Sequence, residues 1–261
     1  MKIGVCLTLN PDDLSWLQDF KNYKTDFIET GLYNLVNKSD EDIKKIVSQT
    51  RDFGLPLSAL NAFFGPMRIF DTPELRKDAR EYVKKAFDKI SYSDVKHITL
   101  GSGKSRSSTD VLSKSDIKKY MAELLFDTVS PLAKDYGYII GIEPLNSAET
   151  DVFTTAKETF DFVKELNLEN IKMIIDYFHF STEKENIKDI SNYKGYISHL
   201  HIASVNSKRT APHPKDNENA EYSKFINTAK EYTDATVTMA VEGSIVSPFN
   251  ETVDYLKLLC K

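Results

Sequence analysis

The chain has 261 residues, of which 41% are hydrophobic and 28% charged, and its 34 basic and 39 acidic side chains give a formal net charge of −5. A negative total charge disfavours non-specific binding to nucleic acid and to anionic membranes, because both need a positive protein surface. No stretch approaches the roughly 20 apolar residues of a membrane helix, and the first residues lack the apolar core of a signal peptide. Cys6 and Cys260 stand far apart and form no zinc-binding pair. We therefore expect a cytoplasmic protein with no nucleic-acid or membrane partner.

Short β-rich runs alternate with longer amphipathic stretches along the chain. The predicted strands cover residues 2–7, 27–29, 57–64, 97–100, 138–142, 173–175, 197–202 and 237–241. The predicted helices cover residues 15–24, 40–53, 73–90, 115–136, 155–166, 187–193, 221–232 and 252–259, with apolar side chains at helical spacing in 73–90. Eight alternating units predict a parallel sheet with helices outside it.

Such a sheet either stays open or closes into a barrel, and two features favour closure. The first strand is not followed by the Gly-x-Gly-x-x-Gly motif of dinucleotide-binding open sheets. Ionisable residues follow several well-separated strands, whose carboxyl ends converge on one face of a barrel. No repeat, linker or low-complexity tract divides the chain. We therefore predict an α/β fold, a (β/α)8 TIM barrel, as a single domain over residues 1–261.

Each of the last four predicted strands leads into an ionisable side chain. The segments read Gly-Ile-Glu-Pro-Leu-Asn-Ser-Ala-Glu (141–149), Ile-Asp-Tyr-Phe-His (175–179), His-Leu-His-Ile-Ala (199–203) and Val-Glu-Gly-Ser (241–244). If Glu143, Asp176, His201 and Glu242 meet, three buried carboxylates repel one another unless a cation joins them. This ligand set suits Mn²⁺, Mg²⁺ or Co²⁺, and it differs from the sulfur-rich ligand set of a structural zinc site. The alternative is four unrelated polar strand ends, each solvated or capping a helix.

These segments resemble the sugar isomerase/epimerase superfamily with the xylose isomerase-like barrel, and within it the D-tagatose/D-psicose 3-epimerase type. The resemblance implies one divalent metal, Mn²⁺ in the first place with Co²⁺, Mg²⁺ or Zn²⁺ as alternatives, on Glu143, Asp176, His201 and Glu242. It implies that Glu143 and Glu242 are also the catalytic acid and base. Glu149 corresponds to a residue that contacts substrate in the family.

Further substrate contacts follow from the same resemblance. His179 matches the second residue of the strand-six Asp-x-x-His motif. Arg106 ends the segment 101–106, which looks like the Gly-Ser-Gly-x-x-Arg turn after strand four in many relatives. The chain departs from the family where a substrate-binding arginine is expected, six residues beyond the strand-seven ligand. Ser207 stands there, so either Arg209 replaces the arginine from a longer loop or the substrate differs.

The resemblance implies a metal-dependent sugar isomerase or epimerase that transfers a proton at the carbon next to a ketose carbonyl, through an enediolate. The implied partner is a small sugar or sugar phosphate, and the assembly a homodimer or homotetramer. The open alternatives are an aldose–ketose isomerase, a metal-dependent dehydratase of an inosose or dehydroshikimate-type substrate, and a non-catalytic sugar-binding barrel. A DNA-repair endonuclease of the same superfamily needs extra histidines on early strands. This chain has Glu29 and Asn61 there, so we do not expect that function.

Three further polar residues carry weaker signals. Glu29 ends the second strand and either lines the pocket or is structural. We expect His199 to pack between its strand and the outer helices, on the side opposite His201. His97 begins its strand and is expected to be structural.

Overall fold

The apolar runs form eight strands in the computed structural model, which describes residues 1–206, 209–234, 236–245 and 248–261. Each strand pairs in parallel with the next one along the chain, and the eighth pairs with the first. The predicted closed (β/α)8 barrel is therefore confirmed. The strands are β1 (Ile3–Cys6), β2 (Phe27–Gly31), β3 (Leu57–Asn61), β4 (His97–Leu100), β5 (Ile139–Ile142), β6 (Ile171–Asp176), β7 (Ile197–Ile202) and β8 (Thr238–Val241).

Helices surround the barrel, and several begin at a side chain that accepts a hydrogen bond from the first turn. Ser39, Thr72, Ser113 and Thr155 are such caps, which satisfy backbone N–H groups that a helix start leaves unpaired. The helices are α1 (Leu17–Asn22), α2 (Leu32–Val36), α3 (Asp40–Asp52), α4 (Pro73–Ile90), α5 (Lys114–Leu124), α6 (Ser130–Tyr136), α7 (Ala156–Leu166), α8 (Tyr177–Thr182), α9 (Asn219–Tyr232) and α10 (Phe249–Leu259).

Two predicted helices differ from those observed. The stretch 115–136 contains a π-helical turn, Leu125–Val129, between α5 and α6. Pro131 follows this turn and has no N–H for an i→i−4 bond, which accounts for the irregularity. The stretch 187–193 forms a 3₁₀-helix, and the α-helix of this unit is α8, directly after β6. Six residues are too few for helical periodicity to reveal α8 in the sequence.

The interior of the barrel is polar on the side of the strands' carboxyl ends. Aliphatic and aromatic side chains fill the layer between strands and helices. Inside the barrel a small apolar cluster, Phe27, Ala59 and Ala240, lies apart from that layer. Further along the axis lie buried Glu29 and His201. Within the described residues, no helix is long and apolar enough to cross a membrane.

Candidate metal centre

The four candidate ligands come from the ends of four neighbouring strands. Asp176 is the last residue of β6 and accepts a 2.8 Å hydrogen bond from the N–H of Phe178, so the start of α8 orients its carboxylate. His201 lies within β7, and Glu143 and Glu242 directly follow β5 and β8. All four therefore sit at the carboxyl end of the barrel, where TIM-barrel enzymes have their active sites.

The structure brings these side chains together around His201. Nδ1 of His201 lies 3.1 Å from Oε1 of Glu143 and 3.6 Å from Oε1 of Glu242. Donor atoms of Glu143, Asp176 and His201 lie within 4.8 Å of one another, and all three residues are buried. Carboxylate oxygens with one imidazole nitrogen are donors that divalent cations accept. The residues present therefore fit one divalent metal ion.

Backbone packing holds the Glu143 carboxylate in place. A Cβ atom on Gly101 would lie 1.8 Å from Oε2 of Glu143, so a side chain there would displace the carboxylate from this position. On the other side, Arg106 donates to the backbone oxygens of Glu143 at 2.5 Å and of Leu100 at 3.3 Å. The Arg106 side chain is fully buried behind the strand ends. This geometry argues against the predicted substrate contact of Arg106 and gives it a supporting role instead.

Arg209 places a positive charge among the carboxylates. Its Nη2 donates to Oδ2 of Asp176 at 3.1 Å and to Oε2 of Glu242 in a short contact. The backbone of Arg209 is left-handed, with φ of 59°. Gly243 has φ of 95°, and a Cβ there would lie 2.1 Å from the carbonyl oxygen of Arg209, so this close approach requires glycine. The position of the expected family arginine, Ser207, lies outside the described residues.

The charges at the site shift several pKa values. Burial alone would lower the pKa of His201, but Glu29 and Glu242 and the hydrogen bond to Glu143 raise it well above its ordinary value. Burial raises the pKa of Glu242. Burial also disfavours the charged form of Arg209, but the neighbouring carboxylates, Glu242 first, raise its pKa. The carboxylates thus stabilise positive charge on His201 and Arg209.

Comparison with known proteins identifies the family. The family model described as xylose isomerase-like TIM barrel matches residues 17–257. The chain belongs to this family. Its fold and the resemblance predicted from the strand-end segments are thereby confirmed.

The chain is similar in sequence to epimerases and isomerases, and in fold to solved structures. A D-psicose 3-epimerase of Enterocloster bolteae is 26% identical over 207 residues, which cover 73% of this chain and 67% of the relative. An inosose isomerase of Bacillus licheniformis is 30% identical over 90 residues, 33% of this chain and 32% of the relative. The structure of an L-ribulose 3-epimerase matches with a TM-score of 0.81 at 16% identity, covering 100% of this chain and 95% of the other, and shows the shared fold.

Two residues predicted to contact substrate lie beside the candidate metal ligands of this xylose isomerase-like barrel. Nδ1 of His179 accepts a 3.1 Å hydrogen bond from the N–H of Asn146, so Nε2 of a neutral ring carries the proton. That Nε2 lies 3.4 Å from Oδ2 of Asp176. Glu149 accepts a 3.1 Å bond from the Asn146 side chain, and 43% of its own side chain is exposed. His179 thus presents a donor to the site, and Glu149 an acceptor at its solvent side.

The prediction for His199 is wrong. Residues two apart in a strand point to the same face, so His199 and His201 both enter the barrel. Their rings lie 5.1 Å apart, and both Nε2 atoms face Glu29. The same rule of alternation, applied to the His-Leu-His run, would have found this arrangement in the sequence.

Sequence reasoning left the role of Glu29 open and missed the supporting role of Asn61. Glu29 is fully buried, and although burial raises its pKa, the charges of His201 and His199 hold that pKa below its ordinary value. Asn61 donates a 2.9 Å hydrogen bond to Oε1 of Glu242. Glu29 lies in the middle of β2 and Asn61 at the end of β3, and only their position in the closed ring links them to the candidate ligands of β7 and β8.

Proposed function

We propose that this chain is a divalent-metal-dependent sugar epimerase or isomerase that transfers a proton at the carbon next to a ketose carbonyl. Its relatives include D-psicose 3-epimerases and inosose isomerases, and the chain is an enzyme of the isomerase and epimerase class. The observation that carries the proposal is the convergence of Glu143, Asp176 and Glu242 around His201.

The cation would be held by Glu143, Asp176, His201 and Glu242. Mn²⁺ is the first choice of metal, and Co²⁺, Mg²⁺ and Zn²⁺ are the alternatives. When bound, the cation would act as a Lewis acid for the oxygen that gains negative charge as the enediolate forms. Asp176 is fully buried and its carboxylate already caps the start of α8, so its role is that of a ligand. His201 offers Nδ1 on the side of Glu143 and Glu242.

Proton transfer is assigned to Glu143 and Glu242. They follow β5 and β8, which are separated by two strands in the ring, so they approach a substrate from different directions. One carboxylate removes the proton and the other returns one to the opposite face, which inverts the carbon. Gly101 and Arg106 hold Glu143, while Asn61 and Arg209 hold Glu242. Such fixed positions reduce the entropic cost of reaching the transition state.

Substrate hydroxyls would meet the polar groups around this pair. Nε2–H of His179 donates, the Glu149 carboxylate accepts, and the Arg209 guanidinium donates. Nη1 of Arg209 lies 3.7 Å from Oε1 of Glu149, so one hydroxyl could bridge the two. These contacts would orient a ketose with its carbonyl toward the ligands.

The test combines metal analysis with deuterium exchange. The protein, loaded with Mn²⁺, is incubated in D₂O with a panel of ketoses, including D-psicose, D-fructose and L-ribulose, and with an inosose, and NMR follows products. We expect one metal per chain, and one deuterium at the carbon beside the carbonyl of one panel member. Glu242→Gln should abolish exchange, while Glu221→Gln on the surface of α9 should not change it.

Other outcomes identify the alternatives. Absence of stoichiometric metal after Mn²⁺ addition would refute the metal centre. Sugar binding without exchange for any substrate would indicate a non-catalytic barrel, and loss of water from the inosose would indicate a dehydratase.

A further inference from the structure

The carboxylate of Glu29 lies inside the barrel, next to the candidate ligand His201. Its Oε1 lies 2.9 Å from Nε2 of His201, and its Oε2 lies 3.0 Å from Nε2 of His199. All three side chains are fully buried. A buried carboxylate is tolerated only where hydrogen bonds or charges replace its lost hydration. Glu29 accepts a hydrogen bond from each of the two imidazoles, and no step of the proposed reaction uses it.

Glu29 determines which nitrogen of His201 carries a proton. An ionised carboxylate only accepts hydrogen bonds, so each Nε2 atom that faces Glu29 must carry hydrogen. In His201 this leaves Nδ1 as the nitrogen whose proton a cation would displace, and the lone pair of the resulting neutral ring lies there. Nδ1 is the nitrogen that lies 3.1 Å from Glu143 and 3.6 Å from Glu242. The ring is thus held in the one tautomer and orientation that offers a ligand to the cluster.

His199 supports Glu29 from the other side. With Nε2–H directed at Glu29, Nδ1 of a neutral His199 is an acceptor, and Oγ1 of Thr238 lies 2.7 Å from it. The ring of His199 also stacks on that of His97, with centroids 4.7 Å apart. Each oxygen of the Glu29 carboxylate therefore accepts a hydrogen bond from one imidazole, and the carboxylate cannot turn without breaking one of these bonds.

We propose that Glu29 is a positioning residue that selects Nδ1 of His201 as the metal-binding nitrogen, and that His199 holds Glu29 in place. This inference rests on the proposed function, because it requires His201 to be a metal ligand. A carboxylate behind a ligand imidazole fixes the ring and increases the basicity of the ligand nitrogen. Glu29 therefore acts on the metal through His201 and does not touch the substrate.

The first test is Glu29→Gln, which keeps the shape but replaces one acceptor oxygen by a donor NH₂. Gln cannot accept from both imidazoles, so one ring must rotate or change tautomer. We expect the Kd for Mn²⁺, measured by calorimetry, to rise about 10- to 100-fold. Glu29→Asp keeps a carboxylate and should recover part of the affinity. The control is Glu158→Gln, a partly buried carboxylate paired with Lys118 at the start of α7, which should leave the Kd unchanged.

The second test reads the tautomer in the wild-type protein and so does not depend on whether a variant folds. In protein with ¹⁵N-labelled histidine and bound Zn²⁺, His201 should show a metal-bound Nδ1 and a protonated Nε2. Metal on Nε2 would overturn the inference. An unchanged Kd for Mn²⁺ in a folded Glu29→Gln protein would also overturn it.

Asp176→Asn separates this inference from the proposed function. If the wild type does not bind Mn²⁺, or if Asp176→Asn binds it as the wild type does, the metal centre itself fails. If Asp176→Asn loses Mn²⁺ while Glu29→Gln keeps the wild-type Kd, the metal centre stands and the role of Glu29 is refuted.

Discussion

Replacing Arg209 by methionine should destabilise the metal-free protein and leave the metal-loaded protein much less affected. Arg209 places its guanidinium against Asp176, which is fully buried, and Glu242, whose side chain is 14% exposed. Methionine keeps the apolar length of the side chain and removes the charge. Without Arg209, three carboxylates face one another with His201 as their compensating neighbour.

The size of the effect follows from burial. Removing one partner of a fully buried ion pair costs about 3–5 kcal/mol, since the other charge stays buried without compensation. The Arg209 side chain is 30% exposed, so water screens part of the interaction, and we expect about 2–3 kcal/mol. For a chain of this length that lowers Tm by about 4–12 °C.

Calorimetry in EDTA and in excess Mn²⁺ measures both states. Because the dication would supply the charge that Arg209 provides, the difference in Tm between variant and wild type should shrink in Mn²⁺. Arg80→Met is a matched control, because that side chain is also 30% exposed but lies 3.8 Å from Asp127, which is 58% exposed. We expect its stability to change by about 0.5 kcal/mol or less. Equal stability of Arg209→Met and wild type in EDTA would refute the reasoning.

Three further predictions concern single carboxylates. Asp176→Asn should weaken Mn²⁺ binding at least about 100-fold and abolish activity, and retention of one Mn²⁺ per chain by mass spectrometry would contradict its role as ligand. Glu149→Gln should raise KM for the sugar about 10-fold with little change in kcat, since it loses a charged contact of about 1.5 kcal/mol or more; an unchanged KM would remove Glu149 from the binding site. Burial raises the pKa of Glu185 to about 7, so the folded protein keeps a proton there that the unfolded chain loses above its ordinary value of 4.5. The free energy of unfolding should therefore fall by about 1–2 kcal/mol between pH 4.5 and 7, allowing for partial solvent exposure, and Glu185→Gln should remove this part of the pH dependence in urea titrations.

The sequence predicted the barrel because its signal is local and repeated. Each strand appears as a short apolar run, and each long helix as a periodic amphipathic stretch. Two short helices were not predicted. These are α2 and α8, whose five and six residues show no period in the sequence, whereas the equally short α1 lies within a predicted stretch. The start of α8 depends on a single cap, the Asp176 side chain, which also belongs to the candidate site.

For the site, local sequence signals located Glu143, Asp176, His201 and Glu242 as ionisable residues after apolar runs. The resemblance to the family's motifs added Glu149 and His179. What such signals could not reveal was the environment of each side chain. Arg106 and Arg209 are both basic loop residues, yet one is buried against backbone oxygens and the other lies among the carboxylates. The difference arises from the path of each loop.

The sequence by itself determined the class of fold and the chemical character of the strand ends, because apolar periodicity and residue type are properties of neighbours along the chain. Tertiary structure alone decided which residues meet across the ring. Glu29 and His201 are separated by 172 positions yet lie 2.9 Å apart, and Asn61 reaches Glu242 across 181 positions. Barrel closure brings the early strands against the late ones, and the register of those strands sets which side chains share a layer. Contacts of that kind leave no local pattern, and they are the ones that orient the candidate ligands.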